Sequence, residues 1–91
     1  MQQTISITVT GRVQGVFYRQ SAREAAESIG VSGTVRNLEN GNVELEATGT
    51  EEQLSRLLAW CKKGPPRAVV SNVESKAVPV KQFRGFTIIR G

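Results

Sequence analysis

The chain has 91 residues, 12 of them Lys or Arg and 8 acidic, a net charge of +4, with 38% hydrophobic and 22% charged residues. That balance excludes a disordered chain, and no apolar run approaches the ~20 residues of a membrane helix. There is no histidine and no aspartate, which excludes a Ser-His-Asp triad, a Cys-His pair, a His-ligated zinc site and an aspartyl-phosphate intermediate.

From Thr4 to Thr10 apolar and polar residues alternate, with Ile5, Ile7 and Val9 on one side and Ser6 and Thr8 on the other. Period two with β-branching predicts a strand. Gly11 to Tyr18 contains two glycines and reads as a loop. Ala22, Ala25, Ala26 and Ile29 recur at helical spacing from Arg19 to Ile29, and Gly30 stands where a C-terminal cap belongs. Val31 to Leu38 reads as a second strand, and Asn40-Gly41 signals a tight hairpin turn into an alternating strand from Asn42 to Thr48. Thr50 and Gln53 have capping-box spacing, and Glu51 and Glu52 suit the positive end of a helix dipole. Leu54, Leu57, Leu58 and Cys61 form that helix's apolar stripe, and Gly64-Pro65-Pro66 ends it. A fourth strand is expected within Ala68 to Val78, and a short last one from Phe86 to Ile89. This order predicts an α+β, ferredoxin-like βαββαβ sandwich: two helices on one face of a mostly antiparallel sheet, plus a short C-terminal strand. One domain spanning residues 1–91 is expected, since a chain this long has room for one core.

The stretch Gly11-Arg12-Val13-Gln14-Gly15-Val16-Phe17-Tyr18-Arg19 joins the first strand to the first helix. A helix N-terminus offers unpaired N–H groups and a partial positive charge, and glycine lets several N–H groups converge on one anion. Arg19 adds a guanidinium fork. Together these describe a site for a tetrahedral dianion. The stretch matches neither G-x-x-x-x-G-K-[ST] nor G-x-G-x-x-G, so no nucleotide is implied. A glycine-bearing connection without a ligand is the plainer alternative, and Arg12 and Arg23 read as solvated surface charges. Asn37 shares a strand face with Val31, Gly33 and Val35, and by itself reads as a strand-end residue satisfying backbone groups.

The same nine residues resemble the first signature of the acylphosphatases. Gly33-Thr34-Val35-Arg36-Asn37, followed by Gly41-Asn42-Val43 and Gly49, resembles their second. Gly64-Pro65-Pro66-Arg67-Ala68 and Phe86-Thr87-Ile88 also match the family, so the resemblance spans nearly the whole chain. It implies the ferredoxin-like fold, cytosolic hydrolysis of acyl phosphates to a carboxylate and inorganic phosphate, and no metal or cofactor. Arg19 resembles the family's phosphate-binding arginine, Asn37 its water-orienting asparagine, and Gln14, Gly15, Val16, Phe17 and Tyr18 its cradle of main-chain donors. Tyr18 stands where phenylalanine is usual, which keeps a ring and adds a hydroxyl that can face water. Thr34 replaces an aromatic and is expected to remove apolar cover near the site.

That chemistry suits a chain without histidine. Phosphoryl transfer asks mainly for positioning and charge stabilisation. The leaving carboxylate belongs to an acid with a pKa of roughly 4 to 5, so no general acid is needed. A phosphate monoester with an alkoxide leaving group should be a poor substrate.

Two rival readings start from the charge. Residues 53 to 91 carry eight bases against Glu74 alone, whereas residues 39 to 52 carry five glutamates and no base. A basic ferredoxin-like sheet can bind RNA by stacking bases on aromatics, but aromatics are only 5% here and no pair sits at stacking spacing on one strand. Arg84-Gly85-Phe86 is the one fragment similar to such a motif, so nucleic acid is not the expected partner. A non-catalytic anion sensor would use the same cradle as the enzyme. Cys61 is the only cysteine, and the first ten residues lack the pattern of a signal peptide, so a reducing, cytoplasmic setting is expected, with no membrane contact. A monomer is the expected state.

Overall fold

A computed structural model describes residues 1–90; Gly91, the last residue of the expected domain, lies outside the described residues. The elements follow the order β1 (Gln3–Arg12), α1 (Tyr18–Ile29), β2 (Ser32–Asn37), β3 (Val43–Gly49), α2 (Glu51–Lys63), β4 (Val69–Val78) and β5 (Phe86–Ile89). The sheet order is β4-β1-β3-β2-β5. All neighbours are antiparallel except β2 and β5, which run parallel. This is the expected ferredoxin-like sandwich, and the appended strand forms an edge beside β2.

The alternation in the strands decides what the sheet buries. Ile7 and Val9 of β1, Val35 of β2 and Val43, Leu45 and Ala47 of β3 are buried in one core with Ala22 and Ala26 of α1 and Leu54, Leu57 and Cys61 of α2. Ile7, Leu45 and Leu57 have no exposed surface, and each such side chain stabilises the fold by about 1.5–3 kcal/mol relative to exposure. Ile5, Ile29 and Leu58 pack against this core partly buried. Gly30 caps α1 in the left-handed region, with φ 99° and its N–H donating to the Ala26 carbonyl.

Two differences from the sequence reading at element ends have a plain physical reason. First, β1 continues through Gly11 and Arg12 because a register shift between Thr10 and Gly11 lets both residues still pair with β4. Second, the hairpin between β2 and β3 is wider than a two-residue turn. Leu38 N–H donates to the Asn42 carbonyl at 2.8 Å, and Gly41 N–H to the Leu38 carbonyl at 3.2 Å, leaving three residues in the loop. Gly41 takes φ 96° at the third of them, the position where such loops turn left-handed.

The polar face of the sheet is not wholly open. Strands β4 and β5 lie at opposite edges, so residues 79–85 must cross from one to the other. Lys81 N–H donates to Thr4 Oγ1 and the Thr48 hydroxyl donates to the Lys81 carbonyl, both at 2.9 Å. The two threonine oxygens are 2.6 Å apart. With the Thr48 proton committed, Thr4 must donate to Thr48, which closes a ring of hydrogen bonds. Both threonines are buried beneath the crossing segment.

Candidate active site

The connection from β1 to α1 has an unusual backbone. Gly15 has φ 75° and Phe17 φ 63°, while no other non-glycine residue has positive φ among the described residues. Gln14, Val16 and Tyr18 therefore have negative φ, and the sign alternates along Gln14 to Tyr18. That alternation turns successive N–H groups toward one side and makes a nest. A left-handed phenylalanine costs roughly 1–2 kcal/mol. Phe17 is also the N-cap of α1 and gives it no side-chain cap. No protein acceptor among the described residues takes up the backbone N–H groups of Val16 to Gln20.

These residues open onto a cavity of about 310 Å³ lined by Val13, Gly15, Phe17, Tyr18, Arg19, Gln20, Asn37, Ile88 and Arg90. Arg19, in the first turn of α1, and Asn37, the last residue of β2, thus meet at one cavity although 18 positions apart. Asn37 stands on the helix-facing side of the sheet because it shares parity with Gly33 and Val35. Its Oδ1 is buried and accepts no hydrogen bond among the described residues. It does not satisfy backbone groups as a strand-end asparagine would. Asn40 does that, accepting from Asn42 N–H at 3.0 Å. Among the described residues Arg19 forms no ion pair, whereas Arg23, Arg36, Arg56 and Lys81 each pair with a glutamate.

Of the remaining expected cradle residues, Gly15, Phe17 and Tyr18 line the cavity, and Gln14 and Val16 do not. Val16 turns its side chain into the core. Gln14 Nε2 donates to the carbonyls of Leu38 and Asn42, each at 2.8 Å. Two expectations are corrected. The Tyr18 hydroxyl does not face water: it is buried and donates to the Cys61 carbonyl at 2.8 Å, supplying a partner to one of the last carbonyls of α2. Burial first, and then the neighbouring Cys61, raise the Tyr18 pKa far above its ordinary value. Burial pushes the Cys61 thiol up to about 12, with the neighbouring Tyr18 hydroxyl acting in the lowering direction. Thr34 does not bear on apolar cover, because it pairs with Glu46 and Thr87 on the sheet's other face and is no part of the cavity wall.

Arg90 and Gln20 also line the cavity without having been singled out by their sequence, and so does Ile88, which the sequence offered only as part of the Phe86-Thr87-Ile88 match and with no role at the site. The parallel register pairs Val35 with Ile88 and Arg36 with Ile89, and Arg90, which directly follows β5, lies in the same cavity wall as Asn37. The signal for Arg90 lay in strand parity: Phe86, Ile88 and Arg90 alternate onto the face that Asn37 shares. Reading it required knowing that β5 pairs with β2.

The chain matches the acylphosphatase family model over residues 5–88. It is 50% identical to an acylphosphatase of Pseudomonas paraeruginosa, covering 90% of both chains. It is 45% identical to one of Methylococcus capsulatus, covering 94% of this chain and 95% of that one. The structure of an acylphosphatase from Coxiella burnetii superposes with a TM-score of 0.93 at 41% identity, covering 97% of this chain and 93% of that chain. The chain belongs to the acylphosphatase family, enzymes that hydrolyse acyl phosphates.

Proposed function

We propose that the cavity between α1 and β2 is where the acyl phosphate is hydrolysed, with Arg19 and Asn37 as its catalytic residues. The phosphoryl group sits in the nest of Gln14 to Tyr18, its equatorial oxygens gathered by main-chain N–H groups and by the Arg19 fork. Asn37 Oδ1 accepts a hydrogen bond from one water and holds it in line with the phosphorus. The water oxygen bonds to phosphorus as the bond from phosphorus to the acyl oxygen breaks. The water proton passes to a phosphoryl oxygen, and the acyl group leaves as a carboxylate beside inorganic phosphate. No side chain gives or takes a proton. Ile88 and Phe17 supply apolar wall to the same cavity.

The observation that carries this reading is Asn37 Oδ1, a buried acceptor without a protein donor among the described residues, in the wall that also holds Arg19. Buried polar atoms nearly always have a partner, and an orphan in a cavity fits a group kept for a ligand. In the test, Asn37→Ala is expected to lower kcat on an aryl acyl phosphate by on the order of 10²-fold. Competitive inhibition by inorganic phosphate should stay within about twofold of wild type, the small change expected when the lost partner is the water. Inhibition weakening in step with kcat would make Asn37 a phosphate-binding residue instead.

The same reading makes residues 1–91 one acylphosphatase domain, cytoplasmic and monomeric, working without metal or cofactor. Activity unchanged by EDTA and by added magnesium supports the last point, and loss in EDTA that magnesium restores overturns it. Nucleic acid is no partner on this reading: the sheet face away from the helices carries Ser6, Thr8, Thr34, Glu44 and Glu46 where a stacking surface needs aromatics. No helix among the described residues is long and apolar enough to cross a membrane.

A further inference from the structure

We infer that the Gln14 side chain is a positioning residue, one that sets the distance between the phosphate cradle and Asn37. This inference rests on the reading of Asn37 given above. The cradle belongs to the β1–α1 connection, and Asn37 belongs to the β2–β3 hairpin. These two pieces of chain approach each other at the cavity, and an in-line attack needs their separation held closely, since a shift of 1 Å can cost about 10²-fold in rate.

Gln14 bolts them together. Its carboxamide nitrogen has two hydrogens, and its two acceptors are the carbonyls of Leu38 and Asn42, each 2.8 Å away. Both partners are carbonyl oxygens, so only the NH₂ end can face them. Leu38 directly follows Asn37, and Asn42 directly precedes Val43, the residue paired with Asn37 across the hairpin. One side chain thereby grips both strands of the hairpin immediately beside Asn37, while its own backbone lies at the start of the nest. The shorter Asn and the negatively charged Glu would each fail, the first in reach and the second for want of hydrogens.

The bonds are not needed to satisfy the hairpin. The Leu38 carbonyl also accepts from Gly41 N–H, and the Asn42 carbonyl from Leu38 N–H. Removing the Gln14 amide therefore leaves neither carbonyl bare. The loss should appear in turnover more than in folding, which separates a positioning role from a merely structural one.

The test is a double-mutant cycle of Gln14→Met with Asn37→Ala, using an aryl acyl phosphate for kcat and KM, inorganic phosphate for competitive inhibition, and urea midpoints for folding. Gln14→Leu, which likewise lacks a donor, replaces Gln14→Met should the latter not fold. Gln14→Met alone is expected to lower kcat about tenfold or more, with KM and the phosphate inhibition constant within about twofold of wild type. In the Asn37→Ala background the same substitution should change kcat by less than about twofold, because the group it positions is gone. A full additional loss in that background, a wild-type kcat in Gln14→Met, or an effect carried mainly by KM and phosphate inhibition would each overturn the inference. Wild-type turnover in Asn37→Ala would instead overturn the reading of Asn37 itself.

Discussion

Helix α2 begins with Thr50 Oγ1 accepting from Gln53 N–H at 3.2 Å and Gln53 Oε1 accepting from Thr50 N–H at 2.9 Å, with Glu51 and Glu52 in its first turn. Helix α1 begins at a left-handed phenylalanine with no side-chain cap and no acidic residue in its first turn. The two helices are nearly equal in length and lie on the same sheet, so their termini serve as controls for each other. At α2 local side chains satisfy the free N–H groups and carboxylates complement the dipole. At α1 no side chain caps the corresponding N–H groups and no carboxylate complements the dipole, and on the proposed reading these groups and the charge of Arg19 serve the phosphoryl group. A terminus held back from its own capping is what stability alone would select against, since a missing cap costs about 1 kcal/mol.

If that contrast is right, changes at the two termini should separate activity from stability. The largest effect belongs to α1. Arg19→Lys keeps the charge but loses the fork, and is expected to lower kcat/KM by about 10²–10³-fold with an unchanged urea midpoint. A folded Arg19→Lys protein with wild-type kinetics would break the comparison at its functional end.

The next effect concerns the link between the start of α1 and the end of α2, where Tyr18 bonds the Cys61 carbonyl. The folded protein holds the Cys61 proton up to about 12, from an ordinary value of 9.0. Above pH 9 the unfolded chain releases that proton while the folded protein keeps it. The stability contributed by the buried thiol is thus complete below pH 9 and is lost as pH rises toward 12. The slope from one proton is at most about 1.4 kcal/mol per pH unit. Urea midpoints at pH 8 and pH 10 should fall more steeply for wild type than for Cys61→Ala, and parallel slopes would refute the assignment.

At α2 the effect is smaller and purely structural. Thr50→Ala is expected to cost about 1 kcal/mol of stability by denaturant unfolding, with kcat and KM unchanged. A change in turnover there would mean that the two termini are not independent. Smallest of all is the response of saturated turnover to pH between 6 and 7.5, expected to be nearly flat. There is no histidine, and the raised pKa values of Cys61 and Tyr18 keep both protonated across that range. Rates corrected for spontaneous hydrolysis that traced a bell would require a protein acid and base.

Much of this was legible in the chain because the governing interactions are local. The capping box of α2 spans three residues, the Gly30 cap follows directly on α1, and strand alternation has period two, so each element could be read from its own residues. Parity likewise placed Asn37 on the face of Val35, and the glycine-bearing stretch before α1 marked the nest. What tertiary structure alone decided involves partners far apart in sequence. The Tyr18 hydroxyl reaches Cys61, Gln14 grips Leu38 and Asn42, and Thr4 and Thr48 close a ring with Lys81. Arg90 joins the cavity only because residues 79–85 cross the sheet and bring β5 to pair with β2. Periodicity shows which side of an element a residue faces, but not which distant residue it meets there, because that depends on strand order and register.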